Sequence, residues 1–193
     1  FRMSSRPTPV TPLPRLYAIV DAELSAAEGW NVPEVAEAMM RGGAGLIQLR
    51  AKSAPSAAVL AWAEVVVALG RRYGATVVVN DRADLARLSG AGGVHVGQDD
   101  LPASAARQIV GSEALVGLST HPLTQFEAAL GEPISYAAVG PVYGTATKAE
   151  ADAVVGLALV EQAAELASGM PGIALVAIGG ITLERASGVI GAG

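Results

Sequence analysis

The chain contains no cysteine and only two histidines among its 193 residues. A disulfide framework and a thiolate metal site are therefore excluded, and two histidines alone cannot build a zinc site. Long hydrophobic stretches are also missing, because the apolar residues occur in short runs. A membrane helix needs roughly 20 consecutive apolar residues, so the sequence predicts neither a membrane span nor a signal segment. We therefore expect a cytoplasmic protein.

Basic clusters are scarce as well. Lysine and arginine number 13 against 18 acidic residues, which gives a formal net charge of −5. Arg71 and Arg72 form the sole adjacent pair of cations. Proteins that bind nucleic acid through its phosphates present a basic patch, so we expect no nucleic-acid partner. Assembly into a homo-oligomer is left open by the sequence.

Length and composition favour one α/β domain. Hydrophobic residues make up 51% of the chain, enough to build a sizeable core. Residues 1–14 are rich in Pro, Ser and Thr and are predicted to be a disordered leader, with Met3 as the native start. We expect residues 15–193 to form a single domain.

Short β-rich runs alternate with helical patterns along the whole chain. Helical stripes include Val32, Val35 and Met39, which follow a possible cap at Asn31. Strict alternation of apolar strands and helices predicts a parallel sheet covered by helices. Seven strands are predicted, at RLYAIV, GLIQLR, TVVVN, GVHVG, LVGLS, YAAVG and LVAIGG, which begin near residues 15, 45, 76, 93, 115, 136 and 175.

The position of the glycines distinguishes a dinucleotide-binding (Rossmann) fold from a TIM barrel. Gly74 and the glycine clusters 42–45 and 90–93 precede strands, where they would end helices. A dinucleotide-binding fingerprint instead follows a strand and opens a helix. The last residues, 191–193, repeat this pre-strand pattern after a helix expected at 183–190. Seven repeats that stop where an eighth should begin predict a TIM (β/α)8 barrel whose eighth strand is absent from the given sequence. We expect either that the natural chain continues or that the barrel closes in another way.

Polar residues follow the predicted strands at their carboxyl ends, which in a barrel form the single face where active sites are built. Cations and hard oxygen ligands together suit a phosphorylated substrate carried with Mg²⁺, which is typically held by one or two carboxylates, phosphate oxygens and water. The glycines after the seventh strand suit a phosphate contact. The cations are Arg50, Lys52 and Lys148, the carboxylates are Asp81 and Asp100, and the hydroxyls and glycines are Thr145, Thr147, Gly179 and Gly180.

Six motifs at these strand ends resemble the thiamine-phosphate synthase family. They are QLRAK (48–52), NDRADLA (80–86), GVHVGQDD (93–100), GLSTH (117–121), GPVYGTATK (140–148) and AIGGI (177–181). The resemblance covers roughly residues 15–193. It implies transfer of the pyrimidinylmethyl group of 4-amino-2-methyl-5-(diphosphooxymethyl)pyrimidine to thiazole phosphate, which gives thiamine phosphate and pyrophosphate.

The resemblance also implies a role for each matching residue. The pyrimidine diphosphate would be bound by Gln48, Arg50, Lys52, Asn80, Ser119 and Lys148, of which Arg50, Lys52, Ser119 and Lys148 would be catalytic. Thiazole phosphate would be bound by Thr145, Thr147 and Gly180. The cofactor would be Mg²⁺, held by Asp81 and Asp100.

Several of these residues also allow a structural interpretation. Asn80 and Asp81 could cap the next helix, and Asp84 is expected to be an acidic residue of its first turn. Asp99 is expected to be a solvated neighbour of Asp100. His95 is expected to be a hydrogen-bonded structural histidine that points either into the barrel or toward a helix.

Two further expectations concern the sixth strand end and the activity. Residues 144–156 are predicted to form a mobile lid that excludes water from a cationic intermediate. The alternatives to the transferase are a thiazole tautomerase-like enzyme and a non-catalytic barrel that binds a phosphorylated ligand. His121, beyond Ser119, is expected to lie near the mouth of the barrel.

Overall fold

The computed structural model describes residues 13–144 and 153–193. Strands and helices alternate through this part of the chain. The strands are β1 (Tyr17–Asp21), β2 (Leu46–Arg50), β3 (Thr76–Asn80), β4 (Gly93–Val96), β5 (Leu115–Thr120), β6 (Tyr136–Val139) and β7 (Ala174–Ala177). The helices are α1 (Ala22–Ala27), α2 (Val32–Arg41), α3 (Ser56–Tyr73), α4 (Ala83–Ser89), α5 (Ala103–Val110), α6 (Leu123–Ala129), α7 (Gly156–Ser168) and α8 (Leu183–Gly191). All seven predicted strands are therefore confirmed.

Local signals in the sequence set several helix ends. The side chain of Asn31 accepts a hydrogen bond of 3.0 Å from the backbone N–H of Glu34, so the predicted cap of α2 is confirmed. Gly74 and Gly90 end α3 and α4 in the left-handed region, at φ 71° and 70°. Glycine adopts this conformation without steric cost, which confirms its predicted role as a helix terminator at these two positions.

The strands form one parallel sheet in the order in which they occur in the sequence. Central positions such as Val78, Val79 and Val94 are fully buried, because the helices cover the outer face and side chains fill the inner one. Parallel pairing in sequential order places the carboxyl ends of all the described strands along one edge. None of the described helices is long and apolar enough to cross a membrane.

The sheet is strongly curled. The hydroxyl oxygens of Tyr17 on β1 and Tyr136 on β6 lie 2.8 Å apart. In a flat sheet these strands would be separated by five strand spacings, or roughly 24 Å. Within the described residues β1 and β7 each pair with one neighbouring strand, so the structure is an α/β fold with a curled, seven-stranded parallel sheet.

The finer predictions about the architecture remain predictions. The curled sheet is consistent with a TIM-like barrel, and closure into a full (β/α)8 barrel is a proposal beyond it. Most of the predicted leader, residues 1–12, lies outside the described part of the chain.

Candidate active site

Two aspartates from neighbouring strand ends face each other at the carboxyl edge of the sheet. Asp81 follows β3 and Asp100 lies in the loop after β4. Burial and the nearby Asp100 carboxylate raise the pKa of Asp81, while Lys52 acts in the opposite direction. The Nζ atom of Lys52 lies 3.3 Å from Oδ2 of Asp81. Two repelling carboxylates beside a cation form an arrangement that a divalent ion would stabilise.

The carboxylate of Asp100 is held by the backbone. The N–H of Gly97 donates a hydrogen bond of 2.8 Å to Oδ2 of Asp100. A Cβ atom at Gly97 would lie 3.1 Å from the same oxygen, so glycine leaves room for this contact. Asp99 is exposed, in agreement with its interpretation as a solvated neighbour.

The backbone of Asp81 adopts an unusual conformation. Its φ angle of 61° lies in the left-handed region, which residues other than glycine adopt rarely. The interpretation of Asn80 or Asp81 as a helix cap is wrong, because α4 begins after Arg82 and has no side-chain cap. Asp84 pairs with Arg82 at 2.6 Å in the first turn, as expected. Strain at a loop position beside a second carboxylate points to a functional constraint on Asp81.

Arg50 is oriented by a residue that the sequence analysis did not select. Its Nη1 donates to Oδ2 of Asp21, the partner of Arg50 in the register of β1 and β2. Asp21 is buried, and its other carboxylate oxygen accepts from the N–H of Leu24 at 3.0 Å, which caps α1. The available signal was the position of Asp21 at the end of β1, matching the polar ends of the other strands.

A chain of hydrogen bonds crosses the interior of the curled sheet below these charges. Gln48 donates from Nε2 to the Tyr17 hydroxyl at 2.9 Å, and this hydroxyl contacts that of Tyr136. His95 lies 3.1 Å from the Tyr136 hydroxyl through Nδ1 and 2.8 Å from Oγ of Ser119 through Nε2. His95 therefore points into the interior of the curled sheet and is hydrogen-bonded as predicted. The hydrogen-bond chain thus links Gln48 to Ser119, and both of these residues are predicted to bind the pyrimidine diphosphate.

Polar contacts join the end of β5 to the end of β6 and to the loop after β4. Nδ1 of His121 lies 2.7 Å from the carbonyl oxygen of Gly140. Gln98 donates from Nε2 to the carbonyl oxygen of Ser119 at 2.6 Å. Both contacts lie at strand ends, so His121 is near the mouth as expected.

The glycine turn after β7 contacts the loop after β6. Gly180 has a φ of 61°, and a Cβ atom there would lie 2.5 Å from the carbonyl oxygen of Gly144. Nη1 of Arg185 donates to the carbonyl oxygen of Gly180 at 2.8 Å, and the Arg185 guanidinium lies 4.6 Å from the centre of the Tyr143 ring. The turn is therefore close-packed against residues that lead toward the predicted threonines.

Thr145, Thr147 and Lys148 lie outside the described residues, as does most of the predicted lid. Within the described part of the chain, no group of three or more His, Cys, Asp or Glu side chains could hold a metal ion. A cation at Asp81 and Asp100 would therefore need further oxygen ligands from substrate or water.

The sequence of the chain matches a known enzyme family. Residues 16–193 match the family described as thiamine monophosphate synthase. The chain belongs to the thiamine monophosphate synthase family. It is therefore a transferase of thiamine biosynthesis, with thiamine-phosphate synthase activity, and the resemblance found in the sequence is confirmed.

Individual relatives agree with this membership. A thiamine-phosphate synthase from Mycobacterium avium is 43% identical over 188 residues, which cover 93% of this chain and 81% of the relative. One from Koribacter versatilis is 44% identical over 184 residues, covering 94% and 84% of the two chains. The solved structure of a thiamine phosphate pyrophosphorylase from Pyrococcus furiosus is 30% identical, with a TM-score of 0.79 over 92% of this chain and 80% of that one.

Proposed function

We propose that this thiamine-phosphate synthase transfers the pyrimidinylmethyl group by a dissociative mechanism at the carboxyl edge of the sheet. The observation that supports the proposal most is the pair of carboxylates, Asp81 and Asp100, beside Lys52. Opposite charges gathered at adjacent strand ends suit a metal-bound diphosphate better than either a neutral ligand or a lone phosphate.

In the proposed site the diphosphate lies between cations from separate strand ends. Arg50 is oriented by Asp21, and Lys52, which pairs with Asp81, has a half-exposed side chain whose ammonium group is proposed to bind a diphosphate oxygen as well. Lys148 is proposed to add a third cation. Gln48, Asn80 and Ser119 are proposed to complete the pyrimidine diphosphate site.

Asp81 and Asp100 fit a Mg²⁺ ion by their chemistry. Their two carboxylates supply the hard oxygen ligands that Mg²⁺ prefers. Burial and the Asp100 carboxylate raise the pKa of Asp81, which supports a site where an added positive charge is favourable. When bound, Mg²⁺ would neutralise charge on the diphosphate and so make it a better leaving group.

The proposed reaction breaks one bond and forms another. The bond between the methylene carbon and the diphosphate oxygen breaks, and its electron pair leaves with the diphosphate. The guanidinium of Arg50 and the ammonium groups of Lys52 and Lys148 stabilise that growing negative charge. The electron-rich aminopyrimidine carries the resulting methylene cation, and the lone pair of the thiazole nitrogen then forms the new carbon–nitrogen bond. No general base is required.

Thiazole phosphate is proposed to bind on the opposite side of the mouth. Gly180 and the threonines Thr145 and Thr147 are its proposed contacts. The close packing of Gly180 against Gly144 supports a shared site for the turn after β7 and the loop after β6.

Pyrophosphate release tests the proposal. The purified protein is incubated with the pyrimidine diphosphate and thiazole phosphate, with Mg²⁺ or with a chelator, and both pyrophosphate and thiamine phosphate are measured. We expect equimolar products that require the metal and both substrates. A tautomerase or a ligand-binding barrel would release no pyrophosphate, so that outcome would reject the transferase mechanism.

The chain offers a matched control for the metal site. Asp100→Asn removes a proposed ligand, whereas Asp99→Asn makes the same chemical change at the exposed neighbouring position. We expect only Asp100→Asn to raise the Mg²⁺ concentration needed for half-maximal activity. Equal effects of the two substitutions would count against Asp100 as a ligand.

A cytoplasmic location for this reaction is part of the same proposal. It is supported by the absence of cysteine and by the phosphorylated substrates, which do not cross membranes unaided.

A further inference from the structure

The hydrogen-bond chain below the site connects residues from five strands. It runs from Gln48 on β2 through Tyr17 on β1 and Tyr136 on β6 to His95 on β4 and Ser119 on β5. Tyr136 is fully buried at its centre. The ring of Tyr136 stacks on His95 with centroids 5.6 Å apart and meets Tyr17 edge-on at 5.7 Å. The family's motifs assign roles to the two ends of the chain and none to Tyr136.

Both phenols hold their protons. Burial raises the pKa of Tyr17 to about 12, and burial raises that of Tyr136 well above its usual value. Each hydroxyl therefore has one hydrogen to donate. The Tyr17 hydroxyl already accepts from Gln48, so its own hydrogen is available to Tyr136.

Once Tyr17 is taken as the donor to Tyr136, the directions of the remaining hydrogen bonds in the chain follow. With Tyr17 as the donor, Tyr136 would accept from Tyr17 and donate its own hydrogen to Nδ1 of His95, which is one of the two directions that these contacts allow. A neutral imidazole that accepts at one nitrogen carries its hydrogen on the other. In that arrangement a neutral His95 would donate from Nε2 to Oγ of Ser119, and the serine hydrogen would be left for another acceptor.

Gly117 provides the space that this arrangement needs. A Cβ atom at Gly117 would lie 2.1 Å from Cζ of Tyr136 and 2.3 Å from its hydroxyl oxygen. Real Cβ atoms do not approach other heavy atoms so closely, so any other residue would displace the Tyr136 hydroxyl. The glycine of the motif GLSTH is therefore explained by Tyr136 and not by a ligand.

We propose that Tyr136 is a positioning residue that holds His95 as its Nε2–H tautomer, so that Ser119 presents its hydroxyl hydrogen to an anionic oxygen of the pyrimidine diphosphate. The inference rests on the proposed role of Ser119. A serine that donates can bind a phosphate oxygen, whereas a serine whose hydrogen is given to His95 can only accept and would face the anion with its lone pairs.

Nitrogen NMR of the labelled holoenzyme tests the tautomer directly. The chain has two histidines, so the spectrum is simple, and His121→Gln assigns the signals. We expect the hydrogen of His95 on Nε2 in the unsubstituted protein and a mixture of tautomers in Tyr136→Phe. Tyr17→Phe, a milder change at a partly buried residue, should also weaken the preference of His95 for the Nε2–H tautomer. A hydrogen on Nδ1 in the unsubstituted protein would overturn the proposal.

Kinetics test whether the tautomer matters for binding. Tyr136→Phe should raise the KM for the pyrimidine diphosphate roughly tenfold, as expected for one hydrogen bond to a charged group, and leave the KM for thiazole phosphate unchanged. Tyr73→Phe is the matched control, since it removes a phenol that donates to Glu37 on the outside of the barrel. It should change neither KM.

A double-mutant cycle identifies the route of the effect. If Tyr136 acts through Ser119, then Tyr136→Phe should add nothing in a Ser119→Ala background. An equal effect in both backgrounds would overturn the positioning role. If the unsubstituted protein released no pyrophosphate, the proposed function would fail, and the tautomer measurement alone would then decide whether Tyr136 controls His95.

Discussion

Arg50 and Asp21 lie opposite each other at the ends of two paired strands and form an ion pair. Asp21 is buried and contacts both Arg50 and the start of α1. Because one carboxylate oxygen serves each contact, the cap of α1 and the orientation of the guanidinium depend on the same side chain. Asp21 therefore acts on the proposed diphosphate site through Arg50.

Asp21→Asn should weaken binding of the pyrimidine diphosphate. Asparagine can still cap α1, but it cannot balance the charge of Arg50, so the guanidinium loses its fixed orientation. We expect KM for the diphosphate to rise about tenfold, with little change in the melting temperature. The control is Glu37→Gln, which weakens an exposed ion pair on the outer surface, where Oε1 of Glu37 lies 3.8 Å from Nη1 of Arg72. An unchanged KM in Asp21→Asn would show that Arg50 needs no such partner.

Asp81→Asn should stabilise the metal-free protein while it abolishes activity. The substitution removes the cost of burying the Asp81 carboxylate and its repulsion by Asp100, which together raise the pKa of Asp81 despite the pair with Lys52. Asparagine also tolerates the left-handed backbone at this position. A gain of about 1 kcal/mol corresponds to about 2–4 °C at this chain length. Thermal melts in a chelator would measure the shift. Asp84→Asn, which instead breaks a favourable pair with Arg82, should not raise the melting temperature.

Stability should fall at high pH through Tyr17. Its pKa is about 12 in the folded protein and about 10 in an unfolded chain, so the folded state retains the proton more tightly. The resulting stabilisation is complete below pH 10 and is lost as the pH rises toward 12. Denaturant unfolding at several pH values should show that the free energy of unfolding falls more steeply with rising pH in the unsubstituted protein than in Tyr17→Phe. Parallel curves for the two proteins would contradict this assignment.

Gly140→Ala should destabilise the junction between β6 and β7. A Cβ atom at Gly140 would lie 2.3 Å from the carbonyl oxygen of Ile178. The backbones would have to separate, at a cost of roughly 2 kcal/mol. Gly144→Ala is the control, because no heavy atom of residues 13–142 or 153–193 lies within 4 Å of its added methyl group. Chemical denaturation of both variants gives the comparison, and equal stabilities would argue against this close approach.

Some properties followed from local patterns in the sequence. The strands, the cap at Asn31 and the terminators Gly74 and Gly90 were predictable because each depends on residues that are close in the chain. The gathering of Arg50, Lys52, Asp81, Asp100 and Ser119 at one edge was also predictable. Parallel strands in sequential order place all their carboxyl ends together, whatever their exact packing.

Other features depended on contacts between distant residues. Nothing near Tyr136 in the sequence shows that its hydroxyl reaches Tyr17, 119 positions away, or that Gly117 leaves space for its ring. The role of Asp21 could not be predicted, because a single aspartate at the end of a strand indicates only a helix cap. The register of β1 and β2 was needed to show that it lies beside Arg50. The direction of His95 was open because alternation along β4 allows two faces.

The order of the elements and the chemical character of the strand ends were thus determined by the sequence itself, since they arise from short-range periodicity and from parallel topology. Only the tertiary structure decided which polar groups pair in the interior. That choice depends on how far the sheet curls, and the curl brings β1 to β6 through the combined packing of all the intervening strands.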